Sequence, residues 1–171
     1  MSMKKYTIAF AIGAGLLVAG ASAKDILFPQ FTPDKGTYDA PFGKLGEKHK
    51  KPWSQTTLAA GVDGKPLAGK IVTVVGEIID FSCYTQLGKH GAKHRDCGQK
   101  CLRNGQPIGL LAKDGTLYLL MDEEHDERRD GLTTFRLAAI ENMAYIMEVT
   151  GTLSEVQGLK ALYVRGYVKK S

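Results

Sequence analysis

The chain has 171 residues, 43% of them hydrophobic and 24% charged, with a formal net charge of +5, three cysteines and four histidines. That length suits one domain with a real hydrophobic core. The first 23 residues hold two lysines and no acid, so the remainder carries 21 basic and 18 acidic residues, a balance of +3 that argues against a nucleic-acid partner.

Residues 1–23 have the form of a secretory signal peptide. Lys4 and Lys5 give a positive start, Thr7 to Gly20 is an apolar run broken by small residues, and Ala21-Ser22-Ala23 supplies a cleavage site. The alternative is an uncleaved anchor, but Thr7 to Ala23 is only 17 residues, at the short limit of a bilayer span. The expected product is a periplasmic or secreted protein beginning at Lys24 with no stable membrane span. In such a compartment paired thiols are usually oxidised, and cysteines tend to be even in number. Here there are three, so at least one stays outside any bridge within the chain.

Residues 24–65 are predicted to form an irregular arm. Five prolines and five glycines recur between Pro29 and Pro66, which prevents any long helix or central strand. Apolar residues such as Phe31, Phe42 and Trp53 are placed to pin it to the domain, and the basic run Lys48 to Lys51 reads as a solvated loop. The domain proper is expected over residues 66–171. Lys70 to Phe81 is a long β-branched strand with Gly76 as a bulge or sharp coil. A glycine-rich loop, Gly88 to Gly91, leads to a helix over Lys93 to Asn104, stopped by Gly105 and Pro107. Ile108–Ala112 and Thr116–Met121 flank Asp114-Gly115, a hairpin signal. After the charged excursion Asp122 to Asp130, a short helix is predicted at Thr134–Asn142. A second hairpin pairs Ala144–Leu153 with Leu159–Lys169 around Ser154 to Gly158.

Five strands with a helix before the last hairpin predict an α+β, mainly β fold. Closing the five-stranded sheet into a small OB-like barrel removes its open edges. A Cys/His-bearing helix is inserted after the first strand, and a second short helix precedes the last hairpin. The strand at Lys70–Phe81 and the ending Val149–Val164 resemble the first and last strands of OB-fold proteins. Asp80-Phe81-Ser82-Cys83-Tyr84, His94-x-x-Cys97-x-x-x-Cys101 and Gly105-x-Pro107-x-Gly109 together resemble a motif set of small exported bacterial OB-like proteins. That resemblance implies a fold and a shared cysteine–histidine site, and no activity.

All three cysteines lie within nineteen residues of one another, with His94 among them. On a helix, His94, Cys97 and Cys101 fall at i, i+3 and i+7, on one face. Cys83, at the end of the preceding strand-like run, can be brought to that face by the glycine-rich loop. Three thiolates and an imidazole form a Cys3His set suited to structural zinc or to copper handling. His90 is a spare ligand, and Asp96 a candidate acceptor for an imidazole N–H.

A disulfide is the competing account. Cys97 and Cys101 would sit about 5–6 Å apart at Cβ, too far for a bridge without distortion. Cys83 with Cys97 or Cys101 is freer, and closing such a loop is worth about 3 kcal/mol. The chain would then be a periplasmic module binding an unknown protein or small molecule. A thiol oxidoreductase is the third option, since Lys93, Arg95 and Lys100 favour thiolate. No haem-attachment, phosphate-loop or dinucleotide motif is present, so no haem or nucleotide cofactor is expected, and a non-enzyme leads. His49 and His125 read as surface histidines, and Tyr118, Tyr145, Tyr163 and Tyr167 as packing residues rather than a base-stacking platform.

Overall fold

The computed structural model of the chain describes residues 31–123 and 132–166. The predicted signal peptide, the first residues of the arm, His125 with most of the charged excursion, and Tyr167 lie outside those residues.

Strand β2 (Lys70–Asp80) organises the sheet. Its Val72, Val74 and Ile78 share one phase and meet the core, as period-two alternation requires. It pairs antiparallel with β5 (Ile146–Val156) over Lys70–Glu77 and with β3 (Ile108–Ala112) over Gly76–Asp80. Gly76 and Glu77 therefore pair on both edges, and the register runs through them without a bulge. Gly76 is a point of close approach instead: a Cβ there would press on the Leu110 side chain and the Leu111 carbonyl.

β3 turns into β4 (Leu117–Asp122) through Gly115 at φ 85°, with Asp114 Oδ1 accepting the Thr116 N–H at 2.9 Å. β5 turns into β6 (Leu159–Val164) through Gln157 and Gly158, both at positive φ (51° and 83°), a two-residue turn whose twist matches the strands. Ser154 to Val156, expected in the loop, thus continue β5. β6 pairs parallel with β4 and antiparallel with the second half of β5, which closes the circuit β5-β2-β3-β4-β6. The mixed five-stranded OB-like barrel expected from the sequence is present. A sixth strand, β1 (Gly43–Leu45) from the arm, lies parallel on the first half of β5, the edge that β6 leaves open.

The arm is otherwise short elements. Helix α1 (Gln55–Ala60) is capped by the Ser54 side chain. Leu45 is in the core, Trp53 packs edge-on against Tyr163, and its indole N–H donates to the Leu67 carbonyl at 2.8 Å. Buried Glu123 ties arm to barrel by accepting from Arg165 Nε at 2.8 Å and from the Ser54 N–H.

Three α-helices and a 3-10 turn fill the two long connections of the barrel. Between β2 and β3 come α2 (Phe81–Leu87), a 3-10 turn (Ala92–His94) and α3 (Arg95–Arg103). Between β4 and β5 comes α4 (Thr134–Glu141), whose Phe135, Ala138, Ala139 and Ile140 are buried. The expected helix at 93–104 is therefore split, and α2 stands where the end of a strand and a loop were expected. No described helix is long and apolar enough to cross a membrane.

Candidate metal centre

Asp80 ends β2 in phase with Ile78 and is fully buried. Its Oδ1 accepts the N–H groups of Ser82 (2.9 Å) and Cys83 (3.2 Å), so the carboxylate caps α2. That cap stops the strand, and it places Cys83 in the first turn of a helix rather than at the end of the strand. Gly88 closes α2 in the left-handed conformation, φ 65°, donating its N–H to the Tyr84 carbonyl at 2.8 Å.

α3 and α4 satisfy each other's terminal carbonyls. From α3, Arg95 donates to the Met143 and Glu141 carbonyls and Gln99 Nε2 to that of Ile140 at 2.9 Å. From α4, Arg136 donates to the carbonyls of Leu102 (2.9 Å) and Gln106 (3.0 Å). The contact is tightest at Gly98, where an added Cβ would strike the Met143 side chain. This docking sets the rotation of α3. Its inward stripe is His94, Gly98 and Leu102, all buried. The expected stripe of His94, Cys97 and Cys101 is broken accordingly: His94 faces inward, Cys101 is half-buried and Cys97 is exposed. The small residue, not the sulfurs, makes the closest approach.

Asp80, Cys83 and His94 each present one ligand atom, and these atoms lie within 4.8 Å of one another. Cys101 lies against this group, beside both Cys83 and Asp80. All three cysteines are unbridged. Among the described residues only two buried side-chain nitrogen or oxygen atoms lack a hydrogen-bond partner, Asp80 Oδ2 and His94 Nε2. Each such orphan costs about 1–3 kcal/mol. Their coincidence in one group marks a place built to receive a further polar species.

The electrostatics agree. Burial, then the Asp80 carboxylate and the neighbouring thiols, push Cys101 up to about 12. Cys83 is also raised, by burial first and Asp80 next. His94 is lowered below the ordinary imidazole value by burial, against the opposing pull of Asp80 and Glu77. Without a cation the centre therefore holds two protonated thiols and a neutral ring around a carboxylate. A cation held by Asp80, Cys83 and His94 would reverse this for Cys83, favouring loss of its thiol proton.

The other candidates fall outside. His90 gives its Nδ1 to Glu77 Oε2 at 2.8 Å and is committed there. Asp96 is exposed on α3. His49 bonds the Glu47 carbonyl through Nδ1 at 2.8 Å. Asp80 was part of the resemblance motif but not of the expected ligand set. Aspartate is a preferred N-cap residue, but position 83 lacks the glutamate or glutamine of a capping box, so the local signal for it is weak. No protein-family model, curated protein or solved structure matches this chain.

Proposed function

We propose that this is an exported, non-enzymatic zinc-binding domain in which Asp80, Cys83, His94 and Cys101 hold the ion. The observation that carries the reading is the pair of orphaned buried atoms, Asp80 Oδ2 and His94 Nε2, in the one group of clustered ligand atoms among the described residues. Four protein ligands leave no open position, the mark of a structural rather than a catalytic site. The ion would bind α2 and α3 to the end of β2, an enclosed cross-link for a segment that carries no strand pairing of its own. A carboxylate oxygen and an imidazole beside two thiols favour zinc over copper(I), which selects sulfur-rich sets. Export rests on the character of residues 1–23, and kinship with small exported bacterial OB-like proteins rests on the cysteine–histidine motif.

The proximity of Cys83 and Cys101 favours a second reading, a disulfide-stabilised binding module. Elemental analysis of protein purified without added metal, together with intact mass before and after reduction, separates the two. One zinc per chain, with all three thiols alkylatable after unfolding in chelator, is the expected result. A metal-free chain whose mass is lower by two hydrogens would replace the metal site with the bridge.

A further inference from the structure

A second site stands apart from the metal centre. Glu77 lies on the opposite phase of β2 from the core residues Val74 and Ile78, on the outer face of the barrel, yet it is fully buried. The arm and the 88–91 loop cover it, joined to each other where Ala92 N–H donates to the Thr32 carbonyl at 2.7 Å. One carboxylate oxygen, Oε1, accepts the Gly91 N–H at 2.6 Å and so holds the loop. The other, Oε2, faces His90 Nδ1 at 2.8 Å. Facing a carboxylate, Nδ1 donates, so Nε2 is an acceptor on the neutral ring and a second donor on the imidazolium.

Next to this pair opens a cavity of about 540 Å³. That volume falls in the range of small-molecule sites, and none of Asp80, Cys83, His94 or Cys101 lines it. Its walls are aromatic around the imidazole. Phe31 stacks on His90 with ring centroids 5.3 Å apart, and Tyr84 meets the same ring edge-on at 5.7 Å. Lys113 lines the cavity from the β3–β4 turn, its largely exposed ammonium in a surface pair with Asp39 Oδ1 at 3.4 Å. The buried negative charge is already answered by two donors. The polar groups at the cavity are an imidazole backed by a carboxylate, a donor at Nε2 in its protonated form, and an ammonium, set among aromatic faces.

We infer that this cavity binds a small aromatic carboxylate, its ring against Phe31 and Tyr84 and its acid group toward His90 Nε2 and Lys113. The carboxylate of Glu77 behind the imidazole offsets the charge that the ring takes on when an anion meets it from the front. Aromatic walls select a flat ligand, because ring faces and edges attract one another at these separations.

The test is a titration of the zinc-supplemented full-length protein with benzoate, followed through the imidazole proton resonances. Benzamide serves as the neutral isostere and cyclohexanecarboxylate as the non-aromatic acid. The expected result is a saturable shift of the His90 signals, with those of His49 unmoved, about tenfold weaker binding of benzamide, which loses the charge-assisted bond, and weaker binding of cyclohexanecarboxylate, which loses the ring contacts. His90→Gln keeps a donor for Glu77 and so spares the loop, and Lys113→Gln touches only an exposed side chain. Both substitutions should weaken benzoate binding. An absence of any shift up to millimolar benzoate, equal binding of benzoate and benzamide, or undiminished binding by His90→Gln would each overturn the assignment.

Discussion

Asp80→Asn isolates the proposed ligand from the helix cap. Asparagine caps as well as aspartate, so its remaining oxygen can still accept the Ser82 and Cys83 N–H groups now held at 2.9 and 3.2 Å. What changes is Oδ2, the orphaned atom, replaced by an amide nitrogen that cannot bind metal. Structural zinc contributes roughly 10–16 kcal/mol over four ligands, about 3 kcal/mol each, so the variant should bind zinc about two decades more weakly. At a zinc concentration a thousandfold above the dissociation constant, the wild type gains about 4 kcal/mol of stability and the variant about 1.4 kcal/mol. Urea unfolding with and without zinc reads this directly. In chelator, Asp80→Asn should be no less stable than wild type, because it removes a buried, partly unpartnered charge. Asp80→Ala, lacking the cap, should lose about 1 kcal/mol more. An Asp80→Asn protein with undiminished zinc affinity would refute the ligand role, and with it the meaning given to the orphaned oxygen.

Three further outcomes are expected. Cys97→Ser should leave zinc affinity within a few-fold of wild type, whereas Cys83→Ser and Cys101→Ser should each lose about two decades by competition titration; equal losses for all three would restore the sulfur-only set. The metal-free protein should lose stability at both ends of the pH scale. His94 is depressed in the fold, so the unfolded chain takes up its proton first, and stability is lost as pH falls below the ordinary 6.5. Cys83 and Cys101 are raised, so their contributions are complete below 9.0 and fall as pH rises above it, that of Cys101 up to about 12. Zinc should suppress the alkaline loss, and denaturant midpoints against pH that stay flat above 9.0 without metal would contradict the assignment. Gly98→Ala should destabilise the fold by roughly 1–3 kcal/mol through its collision with buried Met143, and a neutral effect in thermal melts would deny that α3 is seated there.

Much of the barrel was legible in the chain. The β-branched run Ile71 to Ile79, Asp114-Gly115 between apolar runs, and the helix signal at Thr134 all sit where local rules place them. Local rules failed where a polar group changes the state of the backbone. Asp80 looks like the end of a strand, but its side chain caps α2, and a β-branched run followed by Phe81 and Cys83 does not announce that switch. Gln157 adopts positive φ because the β5–β6 twist demands it, so a loop that looked five residues long shrinks to two.

The candidate site divides in the same way. The clustering of Cys83, His94 and Cys101 in one stretch, and the soft donor chemistry that follows, are properties of composition and spacing that hold for any fold. Which of them turn inward is not. Helical period alone puts Cys97 in line with His94 and Cys101, but α3 rotates to seat Gly98 on Met143, because a helix approaches most closely where it has no side chain. The end of β2 then brings an aspartate that spacing never linked to the cysteines. Donor type is written in the residues themselves. Convergence is decided by packing, since it depends on contacts between segments far apart in sequence.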